Sequence, residues 1–262
     1  MIATGAEGQT KISKMIEKIE AHSYLSTPAL TEKLYEGWLL RLAKGGNKRS
    51  NSVNFPKDMS SHKSLDEKIV HCERYYQEQG LPCRFRLTPL APKPLEDALL
   101  SRNYDIVDPS DVYVRDLRQA PPTPPISQVQ IIPEMTEAHL ASLCHLTEKN
   151  PAAARTFRKT YAQLKIGSYF AYIEQDGDIV ACGFATVTDG IVGLFEFATA
   201  PDHRRKGYGA DITDSLLLQA QKSGAALAYI QVVQSNKNGR DFWARLGFSV
   251  PLYPYQYLCK TP

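Results

Sequence analysis

The chain has 262 residues and a net charge of +3. That is room for one large domain or two of ordinary size, and too little positive charge to argue for nucleic acid or a membrane surface as partner. No run approaches the roughly 18 apolar residues of a membrane span, and the N-terminus lacks the apolar core of a signal peptide. Cys72, Cys83, Cys144, Cys182 and Cys259 are scattered without C-x-x-C spacing. They read as free thiols in a reducing cytoplasm, buried and structural or singly reactive, and not as a disulfide or zinc framework, so no metal is expected.

In chain order, residues 11–20 carry Ile12, Met15, Ile16 and Ile19 at helical spacing. This helix either packs on its own domain or offers a face to a partner. Thr27 and Pro28 have the form of a helix start, with Leu30 and Leu34 inward. Residues 37–43 read as a strand, 44–49 as a basic loop and 50–55 as a second extended stretch. Gly45-Gly46-Asn47 is turn chemistry, so the loop is either a solvated turn or an anion site. A helix follows over 64–79, stopped by Gly80, then a strand over 84–87, a short helix over 94–102 and a strand over 112–117. Residues 119–127, QAPPTPPIS, hold four prolines in nine residues. Such a segment stays extended and reads as a linker, the alternative being a loop within one domain.

Beyond it, 129–132 is a strand. Thr136 caps a helix to about residue 148, and Asn150 caps another to about 164. Strands over 169–174 and 179–187 are joined by Asp176-Gly177, a hairpin signal, and Asp189-Gly190 turns the chain again. The apolar run Leu194, Phe195, Phe197, Ala198 is a buried strand, broken at Pro201-Asp202. Arg204, Arg205 and Lys206 precede Gly207-Tyr208-Gly209-Ala210, where a helix begins with Ile212, Leu216, Leu217 and Ala220 on one face and Gly224 as its stop. Strand, cationic glycine loop and helix form a phosphate cradle. The first amides of the helix lack partners, glycine permits close approach, and the dipole favours an anion by about 0.3–1 kcal/mol. Ile212 is at odds with a dinucleotide fingerprint, and Gly209-Ala210-Asp211 with a P-loop.

The pattern Arg204-x-x-Gly207-x-Gly209-Ala210 resembles the Q/R-x-x-G-x-G/A acyl-CoA loop of the GNAT acetyltransferase superfamily. The apolar strand over 226–233, then Asn236, a short helix over 239–246 and Gly247-Phe248 resemble the ending of that family. Two positions depart from it: Gly239 stands where Ala is usual, and Trp243 where the Tyr general acid is usual. An indole N–H does not ionise usefully, so Trp243 cannot take that role. The element order over 129–260 matches the GNAT fold. Residues 94–107 echo 239–250, which resembles a tandem GNAT arrangement. Its first unit is degenerate, since residues 54–65 hold no Gly-x-Gly loop and are not expected to bind acyl-CoA. The expected fold is α+β: two GNAT-like units, each a mixed β-sheet flanked by helices, over 1–118 and 128–262, joined by the linker 119–127.

The resemblance implies an N-acetyltransferase that takes acetyl-CoA as co-substrate and a small-molecule or peptide amine as acceptor, in the cytoplasm. Phe197, Ala198 and Thr199 would face the thioester and pantetheine, and Asn236 the pantetheine arm. Arg204, Arg205, Lys206, Gly207, Tyr208, Gly209 and Ala210 would hold the pyrophosphate, with Trp243 packed under the cofactor. Glu196 is the only carboxylate in its apolar strand, which makes it either the general base, directly or through water, or a structural partner for a nearby Arg or the edge of the cavity. Tyr253, Tyr255 and Tyr257 share one strand face, as core residues or as a source of the acid. His203 reads as a solvent-facing loop residue. With the usual Tyr missing, a non-catalytic acyl-CoA sensor or interaction protein is the alternative function.

Overall fold

The computed structural model describes residues 6–45, 47–56 and 62–260. The N-terminal helical periodicity extends further than its apolar core suggests, as α1 (Ala6–Ser26). It is followed by β1 (Thr31–Tyr35), β2 (Trp38–Leu42), β3 (Val53–Asn54), α2 (Leu65–Glu78), β4 (Arg84–Leu87), α3 (Leu95–Leu100) and β5 (Asp105–Asp116). The second stretch runs β6 (Gln130–Ile132), α4 (Glu137–Leu146), α5 (Pro151–Tyr161), β7 (Gly167–Gln175), β8 (Asp178–Thr188) and β9 (Ile191–Thr199). It closes with α6 (Tyr208–Lys222), β10 (Leu227–Val233), α7 (Lys237–Arg245) and β11 (Pro251–Cys259).

Caps set most helix starts. Ser64, Thr136, Asn150 and Asn236 each accept a backbone N–H from the first turn of α2, α4, α5 and α7. The helix expected after Thr27 does not form. Thr27 instead bonds back to Ser23 O and ends α1. Past Pro28 the chain turns extended and pairs as β1 with β2. β1 is an exposed edge whose charged Glu32 and Lys33 discourage further pairing.

The strands form one mixed sheet in the order β1-β2-β3-β4-β11-β5-β10-β9-β8-β7-β6. Apart from the added edge strand β6, the order is symmetric about the β11/β5 pair. β2/β3 and β8/β9 are antiparallel, and β3/β4 and β9/β10 are parallel. β4/β11 and β10/β5 are again antiparallel, and β5 and β11 lie side by side at the centre. Each half therefore sends its last strand across to pair with the other half. One face of the β7–β10 region carries α6, through Ile212, Leu216, Leu217 and Ala220. The opposite face carries α1 and α4, with Ile16, Ile19, Leu140 and Leu143 packed on Phe184, Phe195 and Tyr229. α2 and α3 bury Ile69, Tyr76, Leu95 and Leu99 against Leu40, Phe85 and Leu258.

A polar seam crosses from α1 to the central strands. Fully buried Glu20 meets the Arg86 guanidinium on β4 through both oxygens and accepts the Tyr253 hydroxyl at 2.6 Å. His22 Nδ1 lies 3.0 Å from the Tyr229 hydroxyl of β10, and Thr186 of β8 donates to Ser26 Oγ at 2.8 Å. Arg41, 1% exposed, donates to the carbonyls of Tyr24 and Thr27 and so closes the C-terminal end of α1 with a cation. The proline-rich segment is held as well. Asp211 accepts the amides of Ile126 and Ser127, and Arg115 binds the carbonyls of Ala120, Pro121 and Leu246. Among the described residues no helix is long and apolar enough to cross a membrane.

Candidate active site

β9 and β10 are neighbours, yet they pair only from Ile191 to Gly193 against Leu227 to Tyr229. Beyond that they splay, which leaves the β9 edge without a partner on that side. β9 is also bulged: Glu196 and Phe197 together face Gly183, and Glu196 adopts φ +55°. The extra residue changes the facing pattern. Phe195 packs on the α4 side, while Phe197 packs on the α6 side.

The splay opens a cleft of about 820 Å³. Phe197, Ala198 and Thr199 form its β9 wall, and Arg204, Arg205, Gly207, Tyr208, Gly209 and Ala210 form its loop and helix end. Asn236 and Trp243 line the side opposite β9. All of these were expected from sequence. Lys206 was expected too but does not line the cleft; it is exposed on the outside of the turn. Arg204 donates from Nε to Thr199 O at 3.1 Å, which ties the loop to the end of β9.

The start of α6 is built for an anion. Its N-cap is Gly207 at φ +86°, with no side-chain cap. Among the described residues, the first amides of this turn to find a backbone acceptor are those of Ala210 and Asp211, both on Gly207 O. The preceding amides are left for a ligand beside Arg204 and Arg205. His203, expected to face solvent, lines the cleft instead, with its Nδ1 buried and unpartnered. An uncapped helix start, an open sheet edge and an orphaned ring nitrogen in one cleft fit an acyl-CoA. Asn236 Oδ1 caps α7 through Gly239 N at 2.9 Å. A Cβ on residue 239 would come within 2.6 Å of Asn236 Nδ2, which explains Gly where the family resemblance suggests Ala.

Trp243 packs edge-on to Phe197, Phe242 and Phe248 at 4.9–5.6 Å between centroids, a wall and not a proton donor. Tyr253, Tyr255 and Tyr257 do not reach the cleft. They face α1, where Tyr253 bonds Glu20 and Tyr255 lies under the Arg86 guanidinium. Burial pushes the Tyr253 and Tyr257 hydroxyls well above the ordinary phenol range. Cys182 also lines the cleft, but burial pushes its thiol up to about 12, so it is not a thiolate nucleophile at neutral pH.

Glu196 turns the other way, into a second pocket of about 360 Å³. Its carboxylate meets Lys149 Nζ at 2.5 Å, with both side chains about one-fifth exposed. Asn150 at the cap of α5 and Ala153, Thr156 and Phe157 within it form one wall, and Ala43, Gly45, Asn47 and Ser50 from the first half form the other. Thr156 donates to Lys44 O and so locks the basic loop against α5. Residues 146–148 line the cleft and Lys149 and Asn150 the pocket, so the two cavities meet at the β9 bulge. Lys149, Phe242 and the α4–α5 connection carry no local sequence signal for these roles; only the sheet brings them here.

A splayed parallel pair, a bulged strand and an uncapped, cationic helix start define a GNAT-superfamily acetyltransferase. A family model described as "Probable histone acetyltransferase Rv0428c C-terminal" matches residues 13–253, and the chain belongs to that family. The "Uncharacterized N-acetyltransferase YobR" of Bacillus subtilis strain 168 is 27% identical over 248 residues, 94% of this chain and 98% of the relative. The ribosomal protein bS18-alanine N-acetyltransferase of Escherichia coli K12 is 28% identical over 92 residues, 35% of this chain and 62% of that enzyme. Among solved structures, a GCN5-related N-acetyltransferase from Kribbella flavida superposes with a TM-score of 0.68 at 16% identity, covering 99% of this chain and 97% of that one. A tandem GNAT protein from the clavulanic acid biosynthesis pathway gives 0.64 at 12% identity, covering 93% and 88%. The chain is thus an acyltransferase of GNAT type, an enzyme class, and the sensor reading gives way.

Proposed function

We propose that the chain transfers an acetyl group from acetyl-CoA to a primary amine. The observation that carries this reading is the meeting of the phosphate-ready cleft and the Glu196 pocket at the β9 bulge, one cavity for each substrate. The pyrophosphate would lie on the amides and cations of residues 204–210, and the pantetheine arm between the splayed strands beside Asn236. The acetyl carbonyl would sit at Phe197–Thr199, where an unpaired edge amide can stabilise the developing oxyanion. The amine nitrogen attacks that carbonyl, a C–N bond forms, the C–S bond breaks, and the thiolate leaves, taking up through water the proton that Glu196 has received from the amine. Glu196 takes the proton lost by the amine, directly or through water. The division into 1–118, a linker 119–127 and 128–262 belongs to the same reading: the second unit binds acetyl-CoA and the first supplies one wall of the amine pocket.

The test is calorimetric titration with acetyl-CoA, beside an Arg204→Ala/Gly207→Trp variant, followed by thiol release on a panel of amines. Binding by the intact protein, lost in the variant, is the expected result. Absence of binding would remove the acetyl-CoA reading. A Glu196→Gln protein is expected to lose about 10²- to 10⁴-fold in rate; near-normal rates across pH take Glu196 out of the chemistry.

A further inference from the structure

The amine pocket has a charge balance of its own. Among the described residues that line it, Lys149 and Glu196 are the only charged ones, and each is the other's partner. A lysine-rich peptide needs carboxylates to receive its extra cations, and none is left over here. The surroundings lean the other way. Of the exposed charged residues next in sequence to lining residues, Lys44, Arg155 and Lys159 are cations and Glu148, which lines the neighbouring cleft, is the one carboxylate. The positive end of α5, capped by Asn150, opens on the same space. Beyond the charged pair the lining is mixed: Asn47, Ser50, Asn150, Thr156 and Thr160 stand among alanines and Phe157, and the apolar part continues into an adjoining narrow pocket of about 40 Å³ with Phe184, Phe195 and Leu164 in its wall. At about 360 Å³, the main pocket is near the small end of ligand sites, roughly 300–1,000 Å³.

We infer that the acceptor is a free α-amino acid with an apolar side chain, its ammonium on Glu196 and its carboxylate on Lys149. The inference rests on the acetyl-transfer reading above and names its substrate class. The zwitterion replaces one ion pair by two, so neither Lys149 nor Glu196 is left uncompensated when the substrate enters. The side chain lies on Phe157 and toward Phe195. The α-nitrogen is thereby held beside the bulge, next to the expected acetyl carbonyl. An amine without a carboxylate leaves Lys149 with no partner once its own amine has claimed Glu196, and a second cation meets Lys149 directly.

The experiment uses the full chain with acetyl-CoA and reads thiol release. The acceptors are phenylalanine, leucine and methionine, their carboxamides, phenethylamine and a lysine-rich peptide. Acetyl-CoA affinity is measured separately by calorimetry. The free amino acids are expected to exceed their carboxamides at least tenfold in kcat/KM, and to exceed the peptide by more. Lys149→Met is expected to erase the acid-over-amide ratio while the acetyl-CoA Kd holds. Equal or better turnover of carboxamides or peptide overturns the inference and leaves acetyl transfer standing. Acetyl-CoA binding without turnover of any of the three amino acids also overturns it. Failure to bind acetyl-CoA is a different result, and brings down the acetyl-transfer reading itself.

Discussion

The junction between β9 and α6 and the one between β3 and α2 occupy equivalent places in a sheet whose order is symmetric about β11 and β5, yet they are chemically opposite. At α2, Ser64 Oγ accepts from Glu67 N at 3.3 Å, and Glu67 Oε2 accepts from Ser64 N at 2.8 Å. This capping box uses up helix-start donors, and Asp66 and Glu67 add negative charge to the first turn. At α6 the cap is a glycine, the amides are left over and three cations precede them, while the one acid of its first turn, Asp211, is engaged by the amides of Ile126 and Ser127. The same strand-to-helix step is closed to an anion in one half and open to it in the other. The expectation that residues 54–65 do not hold acyl-CoA falls partly on 57–61, outside the described residues; the capping box is an independent reason for it. What the halves share is the seam that joins them and the Glu196 pocket, not the open helix start.

The largest expected effect comes from that seam. Arg86→Ala leaves Glu20 charged and buried, and should lower unfolding stability by about 3–5 kcal/mol in denaturant titration. Two separate unfolding transitions in the variant, against one in the parent, would show that the crossing strands depend on this pair. A pH effect of similar kind resides in His22. Burial holds its pKa at about 4 against an unfolded value of 6.5, with the Asp189 charge opposing in part. The unfolded chain therefore binds a proton that the folded chain refuses. Stability should be independent of this group above about pH 7 and fall by up to ~3 kcal/mol as pH drops from 6.5 to 4. A His22→Gln variant should lose that slope, and an unchanged slope would assign it to other groups.

The loops come next. Gly207→Asp puts a capping carboxylate at the start of α6 and makes it resemble α2. Acetyl-CoA affinity should fall about 100-fold, or ~2.7 kcal/mol, by calorimetry. A smaller loss would mean that Arg204 and Arg205 carry the anion without the helix start. The smallest effect is the reverse control. Ser64→Ala removes the α2 cap and should cost about 1 kcal/mol of stability with acetyl-CoA affinity unchanged. Any change in affinity would couple the two junctions and undo the comparison.

The α6 loop was legible in the sequence because its parts are local: glycines, cations and a helix start lie within seven residues. The order of elements from β6 to β11 was legible for the same reason, through caps at Thr136 and Asn150 and the Asp-Gly turns. Residues 27–34 misled, because Thr-Pro has the form of a helix start and only pairing with Trp38–Leu42 makes the segment a strand. His203 misled too; its neighbours in sequence are polar, but the fold closes Tyr208 over it at 6.4 Å between centroids. The tyrosines of β11 alternate as expected, yet which face they share was set by Glu20 and Arg86, from elements more than 160 residues away in sequence.

The sequence by itself determined the class of protein, the cationic glycine loop at a helix start and the absence of the usual tyrosine, because each of these is written in contiguous residues whose backbone preferences and charges act over one or two turns. Tertiary structure alone decided that Glu196 meets Lys149, that Gly45 and Asn47 of the basic loop line the Glu196 pocket, and that β5 and β11 cross between the halves. Those outcomes depend on strand neighbours and register, which are chosen by burying side-chain faces across long stretches of chain and leave no mark in any local pattern.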